Sequence, residues 1–148
     1  LCVSCLRRKH PNLATRWNAR TEHLVLAEIQ RHMPELERNF FVWDCPVPCA
    51  VSNERPDMLW KVGSSLLHVE VDETADHEDN RDRLLRIFAA TDTETQIVLR
   101  IHTHAYGDHP SCVIRSQRNG DTVVSALKSE FERRMDIVET EIKSLLNK

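Results

Sequence analysis

The chain has no excess of positive charge, no long apolar run, few glycines and no even set of cysteines, and each absence removes a class of protein. Its formal charge of -3 argues against a general binder of polyanions, so any contact with nucleic acid has to come from local basic patches. No apolar run approaches the roughly 18 residues of a membrane span, and the first residues lack a charged region followed by an apolar one. A membrane helix, a secretory leader and a membrane partner are therefore not expected. Five cysteines are an odd number, which disfavours a fully paired secreted framework and predicts an intracellular, reducing compartment. With only 3 Gly, 41% hydrophobic residues and 148 residues in all, and without repeats or low-complexity tracts, the chain suits a soluble domain with a buried core. No stretch reads as an element for recognising bases.

What is present centres on residues 55–86. Met58 to Val62 reads as a strand, Gly63-Ser64-Ser65 as a turn and Leu66 to Asp72 as a second strand, which together make a hairpin. Alternation in the second strand turns Leu67, Val69 and Val71 one way and His68, Glu70 and Asp72 the other. Asp57 enters from the mouth of the partner strand, so three carboxylates can converge as oxygen donors for a hard divalent cation. Alternation alone equally describes a half-exposed strand with its polar side in water.

The flanking elements follow from their own patterns. An amphipathic helix is expected up to Met33, capped by Thr21, entered by Glu22 and ended by Pro34. Phe40 to Trp43 lie in a β-prone stretch, Asn39 to Asp44, that Cys45-Pro46-Val47-Pro48 stops, with Trp43 and Trp60 as core residues. A helix opening at Glu78-Asp79-Asn80-Arg81-Asp82-Arg83 runs through Phe88, and Gln96 to His102 is a buried strand. After it, His102, His104, Asp108 and His109 form a polar rim loop or, alternatively, a transition-metal site. Cys112 to Arg115 reads as a strand, Asn119-Gly120-Asp121 as a turn, and Thr122 to Val124 as a short strand or lead-in. A long helix from Ser125 to Leu146 buries Phe131, Met135, Val138 and Ile142 and leaves Glu130, Arg133 and Arg134 outside. Arg7-Arg8-Lys9, Arg16, Arg20, Arg115, Arg118, Arg133 and Arg134 are the candidate basic patches, with solvated surface as their plainer reading.

The ordered set Arg55-Pro56-Asp57, Val69-Glu70-Val71-Asp72-Glu73, His77, Arg81 to Leu85 and Val98-Leu99-Arg100-Ile101 resembles the restriction-endonuclease-like, or PD-(D/E)xK, superfamily. Within it the chain is most similar to the branch of very-short-patch repair endonucleases and the small nuclease domains of algae and giant viruses, over about Thr21 to Tyr106. The resemblance implies an α/β (α+β) fold, with a mixed β-sheet core flanked by helices and a long C-terminal helix. It also implies a single nuclease-like domain over residues 13–148, preceded at 1–12 by the end of a zinc-knuckle or linker region. Two departures stand out. Asp72 occupies the place of the superfamily's usual lysine, and His77 follows a stretch one residue longer than in the algal and viral relatives.

Those relatives assign roles residue by residue. Asp72, Glu70 and Asp57 hold Mg²⁺ or Mn²⁺, His77 is the general base or holds a metal-bound water, Glu22 stands beside the metal from the first helix, and Asp82 or Asp79 supports the histidine. Arg81 or Arg83 contacts a phosphate. Cys2 and Cys5 have the spacing of half a zinc knuckle and Cys45 and Cys49 offer a second half, a candidate structural Zn²⁺ set whose alternative is reduced free thiols. By the resemblance, further cysteine ligands would stand upstream of Leu1. The expected function is a metal-dependent endonuclease hydrolysing phosphodiester bonds of DNA. The competing reading is an inactive nuclease-like domain serving as a structural or RNA-binding subunit of a larger assembly.

Overall fold

A computed structural model of the chain describes residues 20–47, 53–73 and 81–147. Helix α1 (Thr21–His32) leads through a 3-10 turn (Pro34–Arg38) into β1 (Phe40–Trp43), β2 (Met58–Val62) and β3 (Ser65–Asp72). Helix α2 (Arg81–Ala89), β4 (Thr95–His102), the hairpin β5 (Val113–Arg118) and β6 (Asp121–Ala126), and α3 (Lys128–Leu146) complete it. The expected fold class is found: a four-stranded mixed sheet, a two-stranded sheet and three α-helices among the described residues, the last of them 19 residues long. No helix among the described residues is long and apolar enough to cross a membrane.

The main sheet runs in the order β1-β2-β3-β4, antiparallel at the first two contacts and parallel at the third. A parallel pair needs a crossover, and α2 lies in the connection from β3 to β4. Gly63 opens the two-residue turn between Val62 and Ser65 at φ +59, a conformation a side chain resists. Of the expected turn Asn119-Gly120-Asp121, Asn119 and Gly120 make the β5–β6 turn, both at positive φ as in a type I′ hairpin, while Asp121 already belongs to β6.

Two apolar clusters sandwich the sheet. On one face Leu67, Val69, Val71, Met58 and Trp60 pack with Val25 and Ile29 of α1 and with Phe131, Met135 and Ile142 of α3, and Trp43 packs against this cluster. On the other, Leu59 and Leu66 pack with Val42, Val47 and Ile87 of α2. β3 is therefore buried on both sides from Leu66 to Asp72, and its polar side does not face water.

Three local expectations are corrected. The final helix begins at Lys128, because Ser125 and Ala126 belong to β6 and pair with Ile114 and Val113. Thr21 is the first residue of α1 and fully buried, with Arg20 at the N-cap position and no side-chain cap. Instead Glu73 at the end of β3 accepts the Thr21 backbone N–H at 3.2 Å, meeting one of the donors that a helix start leaves open. Finally, Glu130 and Arg134 are buried rather than outside. Arg134 donates to Glu130 at 2.8 Å, to the carbonyls of His104 at 3.0 Å and Pro110 at 2.6 Å, and lies 4.7 Å from the Tyr106 ring centre. A buried guanidinium needs acceptors on this scale to offset the loss of its water.

Candidate active site

The site is built on the polar face of β3. His68 and Asp72 are 0% and Glu70 is 4% exposed, so each polar group needs a partner inside the protein. Glu70 finds two: His68 Nε2 and Arg83 NH1 both bond its Oε1, the second at 2.8 Å. These donors outweigh burial, which alone would raise the carboxyl, and hold it below its ordinary range. Asp72 sits two residues on. The parallel register pairs it with His102, and Glu70 with Arg100, and Asp72 Oδ2 lies 3.3 Å from His102 Nδ1 and 3.7 Å from Arg100 NH1.

Asp57 immediately precedes β2, whose first residue Met58 pairs with Val69, and this register sets Asp57 beside Glu70. Its Oδ2 accepts the Val71 backbone N–H at 2.8 Å. Burial, reinforced by the charge of Glu70 and more weakly by Glu22, pushes the Asp57 carboxyl up to about 7 despite the Val71 bond. Glu22, in the first turn of α1, is raised by burial, with the Arg20 guanidinium 3.1 Å away opposing. The structure thus brings Asp57 and Glu70 together, with Glu22 within electrostatic reach. Each of the pair has one anchored oxygen. Among the described residues, Asp57 Oδ1 and Glu70 Oε2 accept no hydrogen bond.

These two oxygens are of the type a hard cation takes. No group of three or more His, Cys, Asp or Glu side chains among the described residues is placed to hold a metal ion. An ion here would take one or two carboxylate oxygens and complete its shell with water, a habit of Mg²⁺ in particular. A cation would also relieve the mutual repulsion that raises Asp57. The residues present fit a divalent ion on these terms.

The other candidates are dispersed. His77 and Asp79 lie outside the described residues, as do Cys2, Cys5 and Cys49. Cys45 is half-buried against the second core, and Cys112 is buried, its thiol pushed up by that burial. Asp82 is exposed in the first turn of α2. Arg83, read from sequence as a phosphate contact, is committed to Glu70 and to the Arg55 carbonyl, while Arg81 is exposed. In the rim loop His102 is 55% exposed and meets His104 edge to face at 5.3 Å, whereas His109 stands apart, 3.8 Å from Glu130.

The sequence places His68 on the face of Glu70 and Asp72 without showing its bond to Glu70, and it did not show the Arg83–Glu70 pair or the Arg100 and His102 contacts to Asp72. A signal existed for the last: two strands joined by a crossover helix run parallel, and ending both at their final polar residue aligns Asp72 with His102. The sequence matches no protein-family model, and no curated protein and no solved structure matches it either.

Proposed function

We propose that this chain is a metal-dependent endonuclease that hydrolyses phosphodiester bonds of DNA at the mouth of the β2–β3 hairpin. The observation that carries the reading is the pair of half-buried Asp57 and buried Glu70, each anchored by one oxygen and, among the described residues, leaving the other without a protein donor. DNA as substrate rests on the resemblance to the repair endonucleases. Asp57 and Glu70 would hold Mg²⁺ or Mn²⁺, with Asp72 as a further carboxylate on the same strand and Glu22 shaping the field. Such an ion, when bound, polarises a scissile phosphate and acidifies its water. His77 takes the proton from the attacking water, in the role the resemblance gives it, with Asp82 as its acidic partner. Arg81, exposed at the start of α2, is available to a phosphate.

A second reading has its own observation. Glu70 is met by His68 and Arg83, and Asp72 has His102 and Arg100 as neighbours, so each carboxylate of the strand has nitrogen groups beside it without an ion. That suits an inactive nuclease-like domain in a structural or RNA-binding role.

One preparation separates them. Nicking of supercoiled DNA in Mg²⁺ and Mn²⁺ is expected from the wild type and, for Asp57→Asn, a loss of about 100-fold or more, the scale on which a removed charge-stabilising group acts. A folded wild-type chain that neither binds Mn²⁺ nor nicks DNA overturns the nuclease reading in favour of the second.

A further inference from the structure

We infer that His68 is a positioning residue for Glu70: its Nε2–H fixes which carboxylate oxygen is anchored and which is left for the ion. The inference rests on the metal-site reading above and adds a residue to it. His68 is 0% exposed in the middle of β3, where an imidazole costs free energy unless both nitrogens are met. Both are. Gln96 of β4 donates its amide to the Leu84 carbonyl of α2 at 3.1 Å. A carbonyl only accepts, so this bond fixes which way the amide points. The same amide nitrogen lies 3.4 Å from His68 Nδ1, which makes Nδ1 the acceptor and puts the ring proton on Nε2. That proton is donated to Glu70 Oε1.

Arg83 reaches the same oxygen, but its side chain is 20% exposed and is shared with Glu54 at 3.6 Å and with the Arg55 carbonyl. His68 is fully buried and, among the described residues, has no competing acceptor. It is the rigid half of the anchor, and it ties Glu70 through Gln96 to the crossover helix. Outer partners of this kind set the orientation and basicity of a metal-binding carboxylate.

The test is Mn²⁺ binding to the full chain by titration calorimetry without DNA, on wild type, Asp57→Asn, His68→Leu and His68→Gln. His68→Leu is expected to weaken Mn²⁺ by about 10- to 100-fold, and His68→Gln, whose amide N–H can replace Nε2–H, to return within about threefold of wild type. If His68→Leu does not unfold cooperatively, Gln96→Leu leaves His68 and both carboxylates in place and is expected to weaken Mn²⁺ by about 3- to 10-fold. Unchanged affinity in a folded His68→Leu or Gln96→Leu overturns the inference, while Asp57→Asn still abolishing binding leaves the metal site standing. Wild type that does not bind Mn²⁺, or Asp57→Asn that binds it as well as wild type, overturns the metal site and this inference together.

Discussion

Asp57 is a half-buried carboxylate whose surroundings oppose its ionisation. Its carboxyl is raised from 3.8 to about 7 by burial and then by Glu70. The sign follows from linkage: between about pH 4 and 7 the folded chain keeps a proton that the unfolded chain releases, so stability falls as pH rises through that window. Metal-free Asp57→Asn is therefore expected to be more stable than wild type at pH 8, by about 1–3 kcal/mol, and to lose most of that advantage at pH 4. Chemical denaturation at the two pH values checks it. A variant equally or less stable at pH 8 would mean that Asp57 is not held against its own ionisation.

At the scale of elements, α3 is joined to the loop after β4 by the buried Arg134, which is paired with Glu130 on its own helix. Arg133 and Arg134 hold the Glu130 carboxyl down at about 2, and Arg134 also takes the carbonyls of His102, His104 and Pro110. Removing one partner of a buried pair leaves the other charge and several carbonyls uncompensated. Arg134→Met should cost about 3–5 kcal/mol, and Arg134→Lys should recover only part of it, because an ammonium cannot span acceptors as a planar fork does. Hydrogen exchange is expected to rise first over residues 103–111. Exchange that rises uniformly across the chain instead would show that the clamp has no local role. Because His102 ends β4 beside Asp72, the same clamp governs the rim of the candidate site.

For the molecule as a whole, the decisive feature is a sheet covered on both faces. Ile29 of α1 and Ile87 of α2 are 1% and 0% exposed on opposite sides of it. Each truncated to Ala should lose about 2–5 kcal/mol. The two losses should add within about 0.5 kcal/mol, since the sites share no contacts across the sheet. Denaturant titration of the single and double variants measures this. Only Ile87→Ala should also weaken the Arg83–Glu70 pair, since α2 carries Arg83.

How much of this was legible in the sequence depends on the range of the interaction involved. The hairpin β2–β3, the Asn119-Gly120 turn, the Gln96 to His102 strand and the apolar stripe of α3 follow from alternation, turn chemistry and helical spacing, all of which act over a few residues. The carboxylates Asp57, Glu70 and Asp72 were marked as sharing one end of the hairpin for the same reason. Which solvent they meet was not. A strand of alternating polarity is compatible with water or protein on its polar side, and the packed structure buries His68, Glu70 and Asp72, with α2 supplying Arg83 at Glu70 and β4 supplying Arg100 and His102 at Asp72. Burial in turn created the need for partners, and those partners, Arg83, Gln96, Arg100 and His102, come from other elements. The sequence by itself determined the elements and the residue types at the hairpin mouth. The tertiary structure alone decided which carboxylate is raised and which is pinned, because desolvation and charge pairing depend on neighbours that only the packed sheet and helices supply.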